Sequence, residues 1–524
     1  MSLMISEHRA TTSARRAVVA IASALEHHKV TFLSLFCAMF LLTCCALSAT
    51  KLLWYDELAT LYPAMLPSAK SVVDFFQTGM DVHTPIASLV TWASIRLFGE
   101  GPVMDRLPYT LGYLVFCISI FTFVARRCPA IYASTAMLFP TLTLMFYYAT
   151  ELRCYGLVLG LVGLALVAWQ AAGEEQRGPL LVGALWLSLA GAISLHYYSA
   201  FVLVPLGLAQ LTRTWIDKRI DWPVWLALVF SPIVIFPFLP GIHAAQSIYS
   251  GNMRGLHPHL GQIQTAYVSL LSISNAPILG AIMICLLLAP SLGGSSYSKP
   301  KIIPLPEIVL AAALALLPVF VVIAALRIGA FNDRYVLACV GGIAILLAFA
   351  LYKSLRGDPF VPTVLTLIFL VWFVAKNVPE IQRQMRVNGG LTVPLGEPWR
   401  RSVWMHELEG SNLPVAVVGA TLFMQVQYYA SPAVQPRVNY LTDIRAARIY
   451  GDETSTDINM INFSRHCPLR VVDYHEFIAR NRHFLVCEQT LSGDWLIPML
   501  LQDKAEIRLL ERSEPFRVYE VTTQ

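Results

Sequence analysis

Residues 31–58 read TFLSLFCAMFLLTCCALSATKLLWYDEL. No charged side chain occurs from Thr31 to Ala49. As a helix this run rises about 28 Å, close to the hydrocarbon thickness of a bilayer. Directly after it come Trp54 and Tyr55, then two adjacent acids, Asp56 and Glu57. A spanning segment that ends in aromatics and paired carboxylates asks whether the rest of the chain repeats the pattern.

It does. The chain has 524 residues, of which 56% are hydrophobic and 14% charged, against about 25% charged in an average globular protein. This excludes a soluble enzyme, a disordered chain and a fibrous repeat. The net charge of +5 is spread without a basic block, which excludes nucleic acid as a partner. Eleven apolar windows fit a span: 31–49, 107–125, 130–148, 155–172, 179–195, 198–213, 222–241, 268–290, 306–326, 335–352 and 361–378. The 179–213 stretch reads equally as two spans or as one span with a re-entrant hairpin.

With the N-terminus in the cytoplasm, the inner segments carry fourteen Lys or Arg, from Arg9 to Arg356, and the short outer loops carry four. That bias sets the expected orientation. Residues 1–30 are a cytoplasmic lead-in with a short amphipathic helix around Arg16–His27. The apolar run at 31–49 is too long and too far in for a cleaved signal. Residues 31–378 form the transmembrane domain, with a first outer loop at 50–106 bearing interfacial helices over 58–66, 71–78 and 86–98. The expected place is a bacterial inner (cell) membrane.

Residues 379–524 read as a second, extracytoplasmic domain. They hold 17 acids and 15 bases, a soluble-like density. Apolar runs at 415–418, 470–472, 484–486 and 518–521 read as strands, and 473–480 reads as a helix. The fold class is therefore a polytopic α-helical membrane protein with a small α/β C-terminal domain. Only Cys467 and Cys487 of the ten cysteines lie in that domain, and a disulfide between them is left open. No CxxC or Cys/His metal spacing occurs.

Ionisable residues at the outer span ends are where chemistry would sit. Six groups stand there: Tyr55-Asp56-Glu57 after the first span; Asp81-Val82-His83-Thr84-Pro85 later in the loop; Asp105-Arg106-Leu107-Pro108; Glu151-Leu152-Arg153-Cys154-Tyr155; His196-Tyr197-Tyr198; and Asn332-Asp333-Arg334-Tyr335. Each has a structural reading by itself. Asp56-Glu57 fits a helix N-terminus, His83-Thr84-Pro85 a turn, the arginines snorkelling interface anchors, and the tyrosines an aromatic belt. An interface anchor does not need acids, however, and four acids (Asp56, Glu57, Asp81 and Glu151) are expected at one membrane depth.

Taken in order, these motifs resemble the C-type integral membrane glycosyltransferases, in the bacterial branch related to lipid A aminoarabinose transferase, rhizobial lipopolysaccharide core transferases and protein O-mannosyltransferases. The resemblance covers residues 30–380 as topology. The chain departs from it in having His83-Thr84-Pro85 where many relatives have two prolines, and Glu151 where some have Asp. The resemblance implies a polyprenyl-phosphate sugar donor, a glycan, glycolipid or protein acceptor, and an inverting displacement on the outer face. It implies Asp56, Glu57, Asp81 and Glu151 as catalytic acids, with Asp56 as base. His83, Arg106, Arg153, Tyr155, His196, Tyr197, Arg334 and Tyr335 would bind the donor's phosphate and sugar. A divalent metal ion held by Asp56 and Glu151 is left open, because the superfamily differs on this point.

The rival class is a transporter or flippase of lipid-linked sugars. Transporters place ionisable groups near the bilayer midplane and often show internal repeats; the span interiors here hold almost no charge, and the two halves show no repeat. No GxGxxG or P-loop signature appears, so a soluble nucleotide-sugar donor is not expected.

Overall fold

The computed structural model describes residues 2–77, 84–174, 178–249, 258–271, 280, 301–391, 393–451, 454–490 and 494–524. Contacts divide the chain into two compact units. One comprises Met1–Cys45, Leu107–Ile235 and Leu256–Glu380; the other comprises Ala46–Arg106, Phe236–Gly255 and Ile381–Gln524.

The first unit is helical. Among the described residues of the whole chain, five helices are long and apolar enough to cross a membrane: Lys29–Thr50, Pro102–Ala125, Tyr155–Ala172, Trp222–Ala244 and Phe360–Asn388. Two further windows form bent pairs. Ala130–Leu142 meets Leu144–Thr150 at 77°, and Leu305–Ala315 meets Leu317–Arg327 at 52°. Proline explains both bends: Pro140 lies inside the first helix and Pro318 in the opening turn after the second break, and each removes a backbone donor. The 179–213 stretch resolves into two helices, Pro179–Leu195 and Leu203–Asp217, joined by the 3-10 turn Tyr197–Val202. Cys339–Ser354 is a shorter apolar helix. The window at 268–290 lies largely outside the described residues.

Close helix approach holds this unit together. A Cβ on Gly156 would stand 2.2 Å from the Tyr109 carbonyl oxygen, and one on Gly160 would stand 2.4 Å from that of Gly112. The two glycines, one turn apart, let the 155–172 and 102–125 helices touch backbone to backbone, as small residues do in membranes.

The second unit joins the loop after the first apolar helix to the C-terminal domain. The loop forms helices Tyr55–Ala64, Ala69–Gln77 and Ile86–Phe98. The domain has strands β1 (Val415–Val417), β2 (Val438–Thr442), β3 (Val471–Asp473), β4 (His483–Gln489), β5 (Glu506–Ser513) and β6 (Phe516–Thr522). Their order is β3-β2-β1-β4-β6-β5. β1 to β4 run parallel, and β5 and β6 add an antiparallel edge. The apolar core includes Val418, Tyr474, Phe484, Trp495 and Val521. Asp473 caps the helix Tyr474–Arg480 by accepting from two backbone N–H groups. The disulfide left open above is not formed: Cys467 and Cys487 are both free and buried. Cys487 faces Val417 and Val518 across the sheet, where a thiol packs as a small apolar side chain.

The loop is fastened to this domain. The helix Ala420–Tyr429 holds both backbone groups of Leu53: Leu53 N–H donates to the Tyr429 hydroxyl at 2.8 Å, and Gln425 Nε2 donates to the Leu53 carbonyl at 2.8 Å. Phe75 packs edge-on against Phe463, ring centres 5.0 Å apart. Asn388 Nδ2 donates to the Thr50 carbonyl.

Candidate active site

The predicted residues fall in both units. In the second unit, Trp54 is the N-cap of Tyr55–Ala64, so Asp56 and Glu57 occupy its first turn. There the helix dipole favours carboxylates. Their fates differ. Asp56 is half-buried. Glu57 is fully buried and accepts from Arg106 through both oxygens, from Nε at 2.8 Å and NH2 at 2.9 Å. Glu57 also accepts from the Trp54 backbone N–H at 3.4 Å. Arg106 sends its remaining donors to the carbonyls of Ser48 (2.8 Å), Lys51 (3.0 Å) and Leu52 (3.4 Å). All five N–H groups of the guanidinium are therefore used inside the protein. Arg106 is an internal clamp on the chain between the first span and Asp56. Asp81 and His83 lie outside the described residues.

In the first unit, three irregular turns carry the other motifs. Leu144–Thr150, Tyr197–Val202 and Asp333–Val336 are 3-10 segments adjoining or containing Glu151, His196 and Arg334. Non-helical backbone at membrane depth persists only where protein or a cavity satisfies it. The aromatics at these turns gather. His196 lies 5.0 Å from Tyr335 and 5.4 Å from Tyr155, ring centre to ring centre. Tyr198 stacks on Tyr335 at 4.3 Å and donates to the Ala330 carbonyl at 2.5 Å. The Arg334 guanidinium stands over the Tyr155 ring at 5.9 Å. Asn332 orders this turn by accepting from Arg334 N–H at 3.2 Å. Glu151 is fully buried and Arg153 nearly so, while Tyr197 is half-buried. The buried Tyr155 hydroxyl has no hydrogen-bond partner among the described residues. A void of 20 Å³ lies among Tyr155, His196, Ser199, Arg334 and Tyr335, enough for about one water.

Among the described residues no group of three or more His, Cys, Asp and Glu side chains is arranged to hold a metal. Asp56 and Glu151 belong to different units.

The sequence reading missed the acids of the C-terminal domain. In its sheet the crossovers reverse between β1 and β4, the place where doubly wound sheets bind ligands. Here the chain fills it. Asp494 accepts from the Trp495 backbone N–H at 2.6 Å and stands beside Gly419, which takes a φ of 79° just after β1. Asp457 accepts from the Tyr440 hydroxyl at 2.6 Å and the Trp495 indole N–H at 3.2 Å. Burial above all, with the Asp494 charge adding to it, pushes the Asp457 carboxyl up to about 7 against the pull of those hydrogen bonds. Tyr55, next to Asp56, is within electrostatic range of Tyr440. Only the DIN and GDW triplets around these acids mark them in the sequence, and neither is a motif.

No protein-family model matches the chain, and no curated protein matches it. Solved structures do. ArnT from Cupriavidus metallidurans bound to undecaprenyl phosphate superposes with a TM-score of 0.56, at 12% identity, over 94% of this chain and 98% of the other. The fold is that of ArnT. The apo state of the same protein agrees, with a TM-score of 0.57 at the same identity and coverage. The ArnT likeness supports the C-type resemblance drawn from the motifs. It runs through the span region and the C-terminal domain alike, since almost the whole of both chains is covered.

Proposed function

We propose that this chain is a membrane glycosyltransferase that moves a sugar from a polyprenyl-phosphate donor to an acceptor hydroxyl at the outer face of the cell membrane. The observation that carries the reading is the contrast between adjacent acids: Glu57 is consumed by Arg106, while Asp56 is held one residue away and half-exposed. A base needs a carboxylate held in place yet open to the acceptor, and Asp56 has that position in the first turn of Tyr55–Ala64. A solved protein of the same fold binds undecaprenyl phosphate, which supports a lipid-phosphate donor.

In the reaction the acceptor oxygen attacks the anomeric carbon, and the bond from that carbon to the phosphate oxygen breaks. The acceptor proton passes to Asp56, and polyprenyl phosphate leaves with its electron pair. The sugar inverts. Charge developing on the leaving phosphate needs cations and donors. Arg334 fits that part, carried over the Tyr155 ring, with Arg153 and His83 as further cations. His196, Tyr197 and Tyr335 offer rings and donors to the sugar. Glu151 and Asp81 orient the acceptor. Glu57 and Arg106 act as positioning residues.

The test is transfer of label from radioactive polyprenyl-phosphate sugars to a membrane glycolipid extract in proteoliposomes. Transfer by wild type supports the reading. Movement of the donor across the bilayer without transfer would make the protein a flippase instead.

A further inference from the structure

The helices that carry the Tyr155 cluster also carry a second polar site, at their opposite end. Gln170 lies fifteen residues after Tyr155 on the same helix, about 22 Å along its axis. There Arg127 makes a bidentate pair with the buried Glu307, at 2.9 Å from Nε and 2.5 Å from NH2. Gln170 Nε2 donates to Glu307 at 3.0 Å and to the Phe123 carbonyl at 3.1 Å. Arg213, nearly buried, stands over Trp169 with its guanidinium carbon 3.8 Å from the ring centre. It crosses so close to Gly173 that a Cβ there would stand 2.4 Å from the guanidinium.

Arg127, Gln170, Arg213, Asp217 and Glu307 line a cavity of 230 Å³ together with Ile216, Pro304, Leu305 and Pro306. Gln170 is 1% exposed, and its Oε1 has no hydrogen-bond partner among the described residues. The mouth is greasy. Ile216 and Leu305 on the cavity wall are half-exposed, and Trp215 and Ile302 beside them are more so.

We propose that this cavity binds the headgroup of a membrane phospholipid, one whose phosphodiester carries a hydrogen-bond donor, as phosphatidylethanolamine and phosphatidylglycerol do. Arg213 and Arg127 meet the phosphate. The headgroup ammonium or hydroxyl meets the Asp217 carboxylate on the cavity wall. The acyl chains leave past Ile216 and Leu305. The exposed apolar collar favours a lipid over free phosphate. The site lies at the end that the Lys/Arg bias assigns to the cytoplasm, and it is independent of the transferase reading because it is read by binding alone.

The full chain, purified in detergent and delipidated, would be given phosphatidylethanolamine, phosphatidylglycerol, phosphatidylcholine or inorganic phosphate. Retention would be read by native mass spectrometry and stabilisation by thermal melting. The first two lipids should be retained and raise the melting temperature, with affinity about tenfold above phosphatidylcholine, the equivalent of one charge-assisted hydrogen bond. Arg213→Ala should abolish the difference. Leu305→Trp, at a half-exposed position, should block the mouth and abolish it without removing a polar group. Equal retention of phosphatidylcholine, stabilisation by phosphate alone, or undiminished selectivity in Leu305→Trp would each overturn the proposal.

Discussion

Arg106 and Glu57 are fully buried and joined through two hydrogen bonds of 2.8 and 2.9 Å, one residue from Asp56. A buried pair contributes little relative to an apolar pair, but removing one partner strands the other. Arg106→Ala or Glu57→Gln should therefore destabilise the protein by about 3–5 kcal/mol. Arg106→Lys should recover little, because an ammonium cannot span both carboxylate oxygens and three carbonyls. Thermal melts of the purified variants check this.

The hold of the C-terminal domain on the loop gives a second expectation. Tyr429→Phe removes the acceptor for the Leu53 N–H, and Gln425→Leu removes the donor to its carbonyl. Each leaves a backbone group unpaired and should cost about 1–3 kcal/mol. Both should also lower transfer, because Leu53 lies three residues before Asp56. A transfer rate unchanged in both variants would separate the clamp from the chemistry.

Asp457 predicts a pH dependence. Its carboxyl is pushed up to about 7 in the folded domain, whereas the unfolded chain titrates it near 4. Between those values the folded state keeps a proton that the unfolded state has lost. Its contribution to stability is therefore complete below about pH 4 and is lost as pH rises to about 7, by at most about 1.4 kcal/mol per pH unit. Asp457→Asn keeps the polar shape and has no proton to lose. The gap in melting temperature between variant and wild type should shift in the variant's favour from pH 4 to pH 7 and stay level above it.

Gly156 predicts a packing defect. Its hypothetical Cβ would stand 2.2 Å from a backbone oxygen that has no side-chain freedom to yield. Gly156→Ala should force the two helices apart and cost about 1–3 kcal/mol. Gly183→Ala, where nothing stands within 4 Å, is the control.

Local pattern made much of this legible. Apolar length marked the helices, the runs at 415–418 and 518–521 matched strands, and Asp473 announced its helix by capping it. Charge at the span ends marked Tyr155, His196, Arg334 and Tyr335, which the fold brings together. What stayed hidden depends on contacts across hundreds of residues. Nothing near Leu53 points to Tyr429, and nothing near Arg106 names Glu57 as its partner rather than a ligand phosphate. Asp457 and Asp494 look like ordinary surface acids until the sheet buries them. The Gly156-x-x-x-Gly160 spacing was readable, but small residues abound in spans, and only the structure shows which pair touches.

The central claim is that Asp56 takes the acceptor proton. The direct measurement is the rate of sugar transfer from a labelled polyprenyl-phosphate donor by Asp56→Asn and wild type, matched for folding by their melting curves and run with and without a chelator. The account predicts that Asp56→Asn loses transfer by about 10²-fold or more while melting like wild type. A variant that transfers at the wild-type rate would contradict it and move the base to Glu151 or Asp81.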